Sequence, residues 1–158
     1  MMAEHRLEIA RVSGGRPTTP VTLHMTLVYA GNVPEIRVHE IVAVGDAIRL
    51  PPFDFPIDVA GCFSSAKVAW LGSTATPMTL RTLQRQLQQG VLAADFDIDT
   101  RAFRPHITVA RNIDQDFDPE VITTVDWPVE EFCLMHAISD GTEMRYQPLK
   151  VWPLLGEL

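Results

Sequence analysis

The spacing of apolar and polar residues changes along the chain, and each change predicts an element. Residues 4–12 carry the spacing of a short helix, ended by Ser13-Gly14-Gly15, where glycine can take the left-handed conformation of a helix stop. Arg16 to Thr22 holds two prolines and three threonines and reads as a loop. LHMTLVYAG, residues 23–31, is dominated by apolar and β-branched residues and closed by Gly31, which predicts a strand. Pro34 then opens a second helix, with Val38, Ile41, Val42 and Ile48 at helical spacing. FDFPIDVAG, residues 53–61, alternates Phe53, Phe55, Ile57 and Val59 with Asp54, Pro56, Asp58 and Ala60, the period of a half-buried strand. Pro56 points to an edge or irregular position. KVAWLG, residues 67–72, reads as the hairpin partner of that strand. Thr76 as N-cap and Pro77 at the first helical position begin a helix over 77–93, whose stripe is Leu80, Leu83, Leu87 and Val91. PHITVAR, residues 105–111, is a further strand, and 129–138 with 143–152 form a last pair around Asp140-Gly141.

One arrangement occurs twice: a helix, a proline-bearing loop, then a strand with His-x-Thr, once as LHMTL and once as PHITV. Duplication about a pseudo-two-fold axis would set these strands face to face across a groove. The expected architecture is α+β: a single bilobal domain over 1–158, with two mostly antiparallel sheets, outer helices and a cleft between the lobes. Side chains alternate along a strand, so His24 and Thr26 share one face, as do His106 and Thr108. Met25, Leu27, Ile107 and Val109 point to the core. Two imidazoles and two hydroxyls on one groove suit in-line displacement at phosphorus. One histidine serves as base toward water and the other as acid toward the departing ribose oxygen. The threonines can donate to the non-bridging oxygens, and Arg111 or Arg104 adds a cationic donor.

Composition narrows the partners. The formal charge of −7 argues against a broad basic face for long nucleic acid, but leaves room for a pocket that takes one nucleotide or an RNA end. No apolar run is long enough for a membrane span, and the polar N-terminus does not read as a secretory signal, so a cytoplasmic protein without a membrane partner is expected. Cys62 and Cys133 lack metal or disulfide spacing and read as buried, reduced thiols. His5, His39 and His136 have no partner at ligand spacing, so neither a metal nor another cofactor is expected. Tyr29 reads as core on the face opposite His24, and Trp70, Trp127 and Trp152 as packing residues. Lys67 is a minor candidate for the cleft.

The chain resembles the two-histidine phosphoesterase superfamily, and within it the bacterial RNA 2′,3′-cyclic phosphodiesterase branch, often named 2′-5′ RNA ligase or LigT-like. GRPTTPVTLHMTLVYAGNVPE, SSAKVAWLG, FRPHITVARN, WPVEEFCLMHA and RYQPLKVWPL carry the resemblance, in the family's order over almost the whole chain. The resemblance implies a metal-free site, with His24 as acid for the leaving 3′ oxygen and His106 as base for water, giving a 2′-phosphate. It implies that Arg111 binds the phosphate or nucleotide, and that the partners are RNA ends or nucleotides bearing a 2′,3′-cyclic phosphate. Family members usually open with a strand of the type Arg-x-Phe-x-Ala-Ile, whereas this sequence starts within the helix that follows it. A lobe built without that strand would carry an unpaired sheet edge and favour dimerisation or strand exchange. Ligation forming a 2′-5′ bond, and a non-catalytic nucleotide- or RNA-binding module, stay open as alternatives.

Overall fold

The computed structural model of the protein describes residues 16–17, 23–139, 141 and 144–156. They form an α+β fold with a five-stranded and a two-stranded sheet. The chain divides into two compact units, one of Met1–Thr26, Phe55–Ala75 and Pro105–Trp127, the other of Leu27–Asp54, Thr76–Arg104 and Pro128–Leu158. The helix expected over 4–12 lies outside the described residues.

The first unit is built on the larger sheet. Its strands are β1 (Arg16–Pro17), β2 (Phe53–Phe63), β3 (Val68–Gly72), β4 (Ile107–Arg111) and β5 (Glu120–Val129), in the order β1-β4-β3-β2-β5. β2 and β3 form the expected antiparallel hairpin, with Val59 opposite Gly72 and Phe63 opposite Val68. The turn closes where Lys67, at φ 55°, donates its N–H to the Ser64 carbonyl at 3.3 Å. β2 is an interior strand, so of the two positions that Pro56 suggested, edge or irregular, the edge is excluded. Its pairing with β3 nevertheless begins only at Val59, so the missing N–H of Pro56 breaks no bond of that hairpin. Ala60, Leu71 and Ile107 lie in one row across β2, β3 and β4, each at most 2% exposed. Burial of an aliphatic side chain of leucine size contributes about 1.5–3 kcal/mol, so this row anchors the sheet.

In the second unit a 3₁₀ turn, Glu35–Arg37, leads into α1 (Val38–Asp46), and α2 (Met78–Ala93) follows. The two-stranded sheet pairs β6 (Glu131–Ser139) with β7 (Met144–Pro153). Ile41, Val91 and Phe96 form one apolar cluster; Leu83, Phe132 and Leu154 form another. The helices approach closely because Gly90 leaves room for Val44. Gly45 likewise seats the Trp152 ring, which stacks on Phe132 at 5.0 Å and donates its indole N–H to Asp46 Oδ1 at 2.7 Å. Arg37 ties the entry of α1 to the end of α2. Its guanidinium lies 4.0 Å over the Phe96 ring, donates to the Ala94 carbonyl at 2.7 Å and pairs with Glu40 at 2.6 Å. This pairing holds the Glu40 carboxyl below the ordinary carboxylate range.

Several expectations change. Arg16–Pro17, read as part of a loop, is a strand paired with Arg111 and Ala110 of β4. LHMTLVYAG is not a continuous strand: Met25 makes a single antiparallel bridge to Ile107, and the chain bends at Leu27. Pro77 is itself the N-cap of α2, one place before the helix, so no side chain caps that end. β5 went unread, although its Val-Ile-Thr-Thr-Val run has clear strand chemistry. Tyr29 is 72% exposed rather than core. Both cysteines are free thiols, but neither is buried: Cys62 is half-buried on β2 and Cys133 is exposed on β6. Among the described residues no helix is long and apolar enough to cross a membrane.

Candidate functional site

Both His-x-Thr motifs belong to the first unit, and the Met25–Ile107 bridge makes them antiparallel neighbours. One residue to either side of that bridge, the register sets His24 opposite Thr108 and Thr26 opposite His106. Met25 and Ile107 share one face of the pleat, and the four motif side chains share the other. Directly opposed Cβ atoms stand about 4.5–5.5 Å apart and diagonal neighbours about 7–8 Å. The two histidines occupy one diagonal and the two threonines the other. Both histidines and Thr108 are half-buried, while Thr26 is exposed. The opposite face of β4 is sealed: Ile107 is 1% exposed and Val109 is fully buried.

Strict alternation from Thr108 would turn Arg111 towards the core. A β-bulge prevents this. Val68 pairs with Arg111 and Ala69 with Ala110, but Trp70 pairs with Thr108, so Val109 has no partner on β3. Val109 and Ala110 therefore both face inward, each fully buried, and Arg111 returns to the histidine face as an exposed residue. Re-aiming one side chain at the cost of one unpaired residue is the usual effect of such a bulge. Arg104, the remaining cationic candidate, is exposed and belongs to the second unit.

The residues under the histidine face escaped the sequence reading. Gly61 and Gly72 flank Trp70 on the strand surface, and the indole lies where their side chains would stand. A Cβ on Gly61 would fall 2.4 Å from the ring, and one on Gly72 would fall 3.1 Å from it. Phe63 packs against Trp70 with ring centroids 5.5 Å apart, and its ring meets His106 edge to face at 5.0 Å and 87°. Gly61 and Trp70 are direct cross-strand partners. A glycine opposite a tryptophan in a predicted hairpin was the available signal, since a bare strand position accepts a neighbouring aromatic ring.

Of the three histidines without partners at ligand spacing, His5 lies outside the described residues. His39 is exposed, with Nδ1 2.9 Å from the Ile36 carbonyl, and His136 is exposed on β6 opposite Gln147. Lys67 is exposed at the turn. Among the described residues, no three His, Cys, Asp or Glu side chains gather as a set of metal ligands.

The chain is similar to several known proteins. The RNA 2′,3′-cyclic phosphodiesterase of Escherichia coli K12 is 30% identical over 141 residues, which is 89% of this chain and 80% of that protein. The protein of the same name from Thermus thermophilus is 28% identical over 167 residues, covering 99% of this chain and 84% of its own. The crystal structure of E. coli LigT complexed with 3′-AMP superposes with a TM-score of 0.85 at 28% identity, covering 96% of this chain and 92% of that one. A solved phosphoesterase structure gives 0.84 at 29% identity, covering 97% of this chain and 92% of its own. The model of the 2′-5′ RNA ligase superfamily matches residues 2–141. A match over that length, with two His-x-Thr motifs joined at one bridge, assigns the chain to a family: it belongs to the 2′-5′ RNA ligase superfamily.

Proposed function

We propose that this chain is an RNA 2′,3′-cyclic phosphodiesterase, which opens cyclic phosphate ends to 2′-phosphates by acid–base catalysis with His24 and His106 and without metal. The observation that carries the reading is the Met25–Ile107 bridge, which sets two imidazoles on one diagonal and two hydroxyls on the other. In-line displacement needs proton acceptor and proton donor on opposite sides of phosphorus, and a diagonal of about 7–8 Å leaves space for the phosphate between them. His106 takes the proton of water as its oxygen bonds to phosphorus. His24 protonates the 3′ oxygen as that P–O bond breaks, and the phosphate stays on the 2′ oxygen. Thr26 and Thr108 donate to the non-bridging oxygens, where negative charge accumulates, and Arg111 supplies a cation from the same face. Proton exchange with solvent resets both imidazoles. The substrate is an RNA end or a nucleotide, met in the cytoplasm.

The test is turnover of 2′,3′-cyclic AMP and of a short RNA ending in a cyclic phosphate, in excess EDTA, for wild type and for His24→Ala and His106→Ala. General acid–base catalysis contributes about 10²–10⁴-fold, so each variant is expected to lose that much rate, and the wild-type product is the 2′-phosphate. Activity retained in the double variant, or dependent on added metal, would overturn the proposal. Ligation is the same displacement with a 5′-hydroxyl RNA end as nucleophile in place of water. Including that RNA in the assay reads out both products together.

A further inference from the structure

We propose that Phe63 is a positioning residue: its ring fixes the plane of the His106 imidazole, and Trp70, seated on Gly61 and Gly72, fixes Phe63. The inference rests on the reading of His106 as a catalytic base. β4, which begins one residue after His106, determines where the Cα and Cβ of that histidine stand, but not how its ring is turned. The second side-chain torsion of histidine is broad and roughly two-fold, so backbone placement alone does not set the plane of the ring. Transfer of a proton needs one of those nitrogens within hydrogen-bond reach of water and aligned with it. A lateral contact can supply that constraint, and the edge-to-face ring of Phe63, 5.0 Å away at 87°, has the right geometry.

Phe63 is itself the last residue of β2 and half-buried, so it needs support. The Trp70 ring lies 5.5 Å from it at 37°. That indole is locked by shape. It occupies the space where Gly61 and Gly72 lack side chains, and its N–H is buried with no acceptor among the described residues. A buried donor without an acceptor is a cost that a phenylalanine would avoid, so the span of the larger ring is what the position uses. The chain of contacts therefore runs from a glycine seat through two aromatic rings to one imidazole, all within the first unit.

The test compares Phe63→Leu with Phe63→Tyr. Leucine keeps an apolar side chain but removes the ring; tyrosine keeps the ring. Small misplacement of a reacting group costs up to a hundredfold, so Phe63→Leu is expected to lower kcat by roughly ten- to a hundredfold. KM should move by less than about twofold, because substrate binding is untouched, and Phe63→Tyr should recover kcat to within about threefold. In parallel, NMR of the His106 ring protons, which lie in the ring current of Phe63, should show them displaced in Phe63→Leu and retained in Phe63→Tyr. Binding of 2′-AMP should be unchanged in both. Wild-type kcat in Phe63→Leu, a loss shared equally by kcat and 2′-AMP affinity, or unmoved His106 signals would each overturn the proposal. An inert wild type would sink the catalytic reading, while the NMR comparison would still decide whether Phe63 sets the ring.

Discussion

Gly61→Ala separates a packing argument from a propensity argument by the sign of its effect. Glycine inside a strand is worse than alanine by about 0.5–1 kcal/mol, so propensity predicts that the substitution stabilises. The structure predicts the reverse. The new Cβ would lie 2.4, 2.8 and 2.9 Å from three carbons of the Trp70 ring. A flexible side chain would swing away cheaply, but this ring is rigid, packs against Phe63 and lies over Gly72. Overpacking of this kind costs about 1–3 kcal/mol, which exceeds the propensity gain and leaves a net destabilisation of about 1–2 kcal/mol. For a chain of this size that lowers Tm by about 2–8 °C, measurable by calorimetry and by urea unfolding. The same substitution in a Trp70→Phe background removes the clashing carbons, and there it should become neutral or stabilising by about 0.5–1 kcal/mol. The coupling between the two positions is then at least about 1 kcal/mol. A rise in Tm for Gly61→Ala alone, or an equal effect in both backgrounds, would refute the reasoning.

Three further predictions follow from the site and its surroundings. One histidine must be neutral and the other protonated for the proposed turnover, so kcat/KM against pH should be bell-shaped; a profile that rises or falls monotonically across neutral pH would count against the pair. Partial desolvation pushes the Cys133 thiol up, and the Glu131 carboxylate adds to this, although the residue as a whole is exposed. Its alkylation by iodoacetamide near pH 8 should thus be slower than that of the unfolded chain, and faster in Glu131→Gln, as read by mass spectrometry. Glu40 is held below the ordinary carboxylate range by its bond to Arg37, so the pair contributes stability above the unfolded glutamate value. That contribution is lost as pH falls through the depressed folded value. The stability difference between wild type and Glu40→Gln should accordingly be visible near neutrality and vanish in acid.

Much of the fold was legible because its elements announce themselves locally. β2 shows period two, and α2 shows a four-residue apolar stripe that the structure buries at Leu80, Leu83 and Val91. The failures occur where partners distant in sequence decide the outcome. LHMTLVYAG has the composition of a strand, yet a strand exists only where a neighbouring strand runs alongside it, and here the pairing is a single bridge at Met25. Arg16–Pro17 shows the converse: a proline-bearing segment becomes a strand because the edge of β4 is available to it. The motif residues of the site were readable as a repeated pattern. Arg111 was named for its motif, but nothing in ITVAR reveals the bulge that returns it to the histidine face. That depends on the pairing of β3 with β4. Trp70 reads from the sequence as a packing residue, and Phe63 falls just past the run 53–61 that reads as a strand.

The register at the bridge matters as much for the proposed chemistry as the identity of the residues. If β4 were displaced so that His24 stood directly opposite His106, their Cβ atoms would be about 4.5–5.5 Å apart. The imidazoles would then meet each other and leave no gap for a tetrahedral phosphate, and two protonated rings at that distance would repel. The threonines would be carried to opposite ends of the pair, four positions apart in register, and could no longer flank one bound group. With Met25 opposite Ile107, each histidine instead faces a threonine, and the like groups separate along the diagonals. That arrangement presents acid and base from opposite ends and hydroxyl donors from the other two corners, which is the symmetry of an in-line displacement at phosphorus. Two copies of one tripeptide pattern on antiparallel neighbours generate it with no further device. The repeat in the sequence is therefore understood as the simplest way to encode a four-cornered site with a two-fold arrangement of roles.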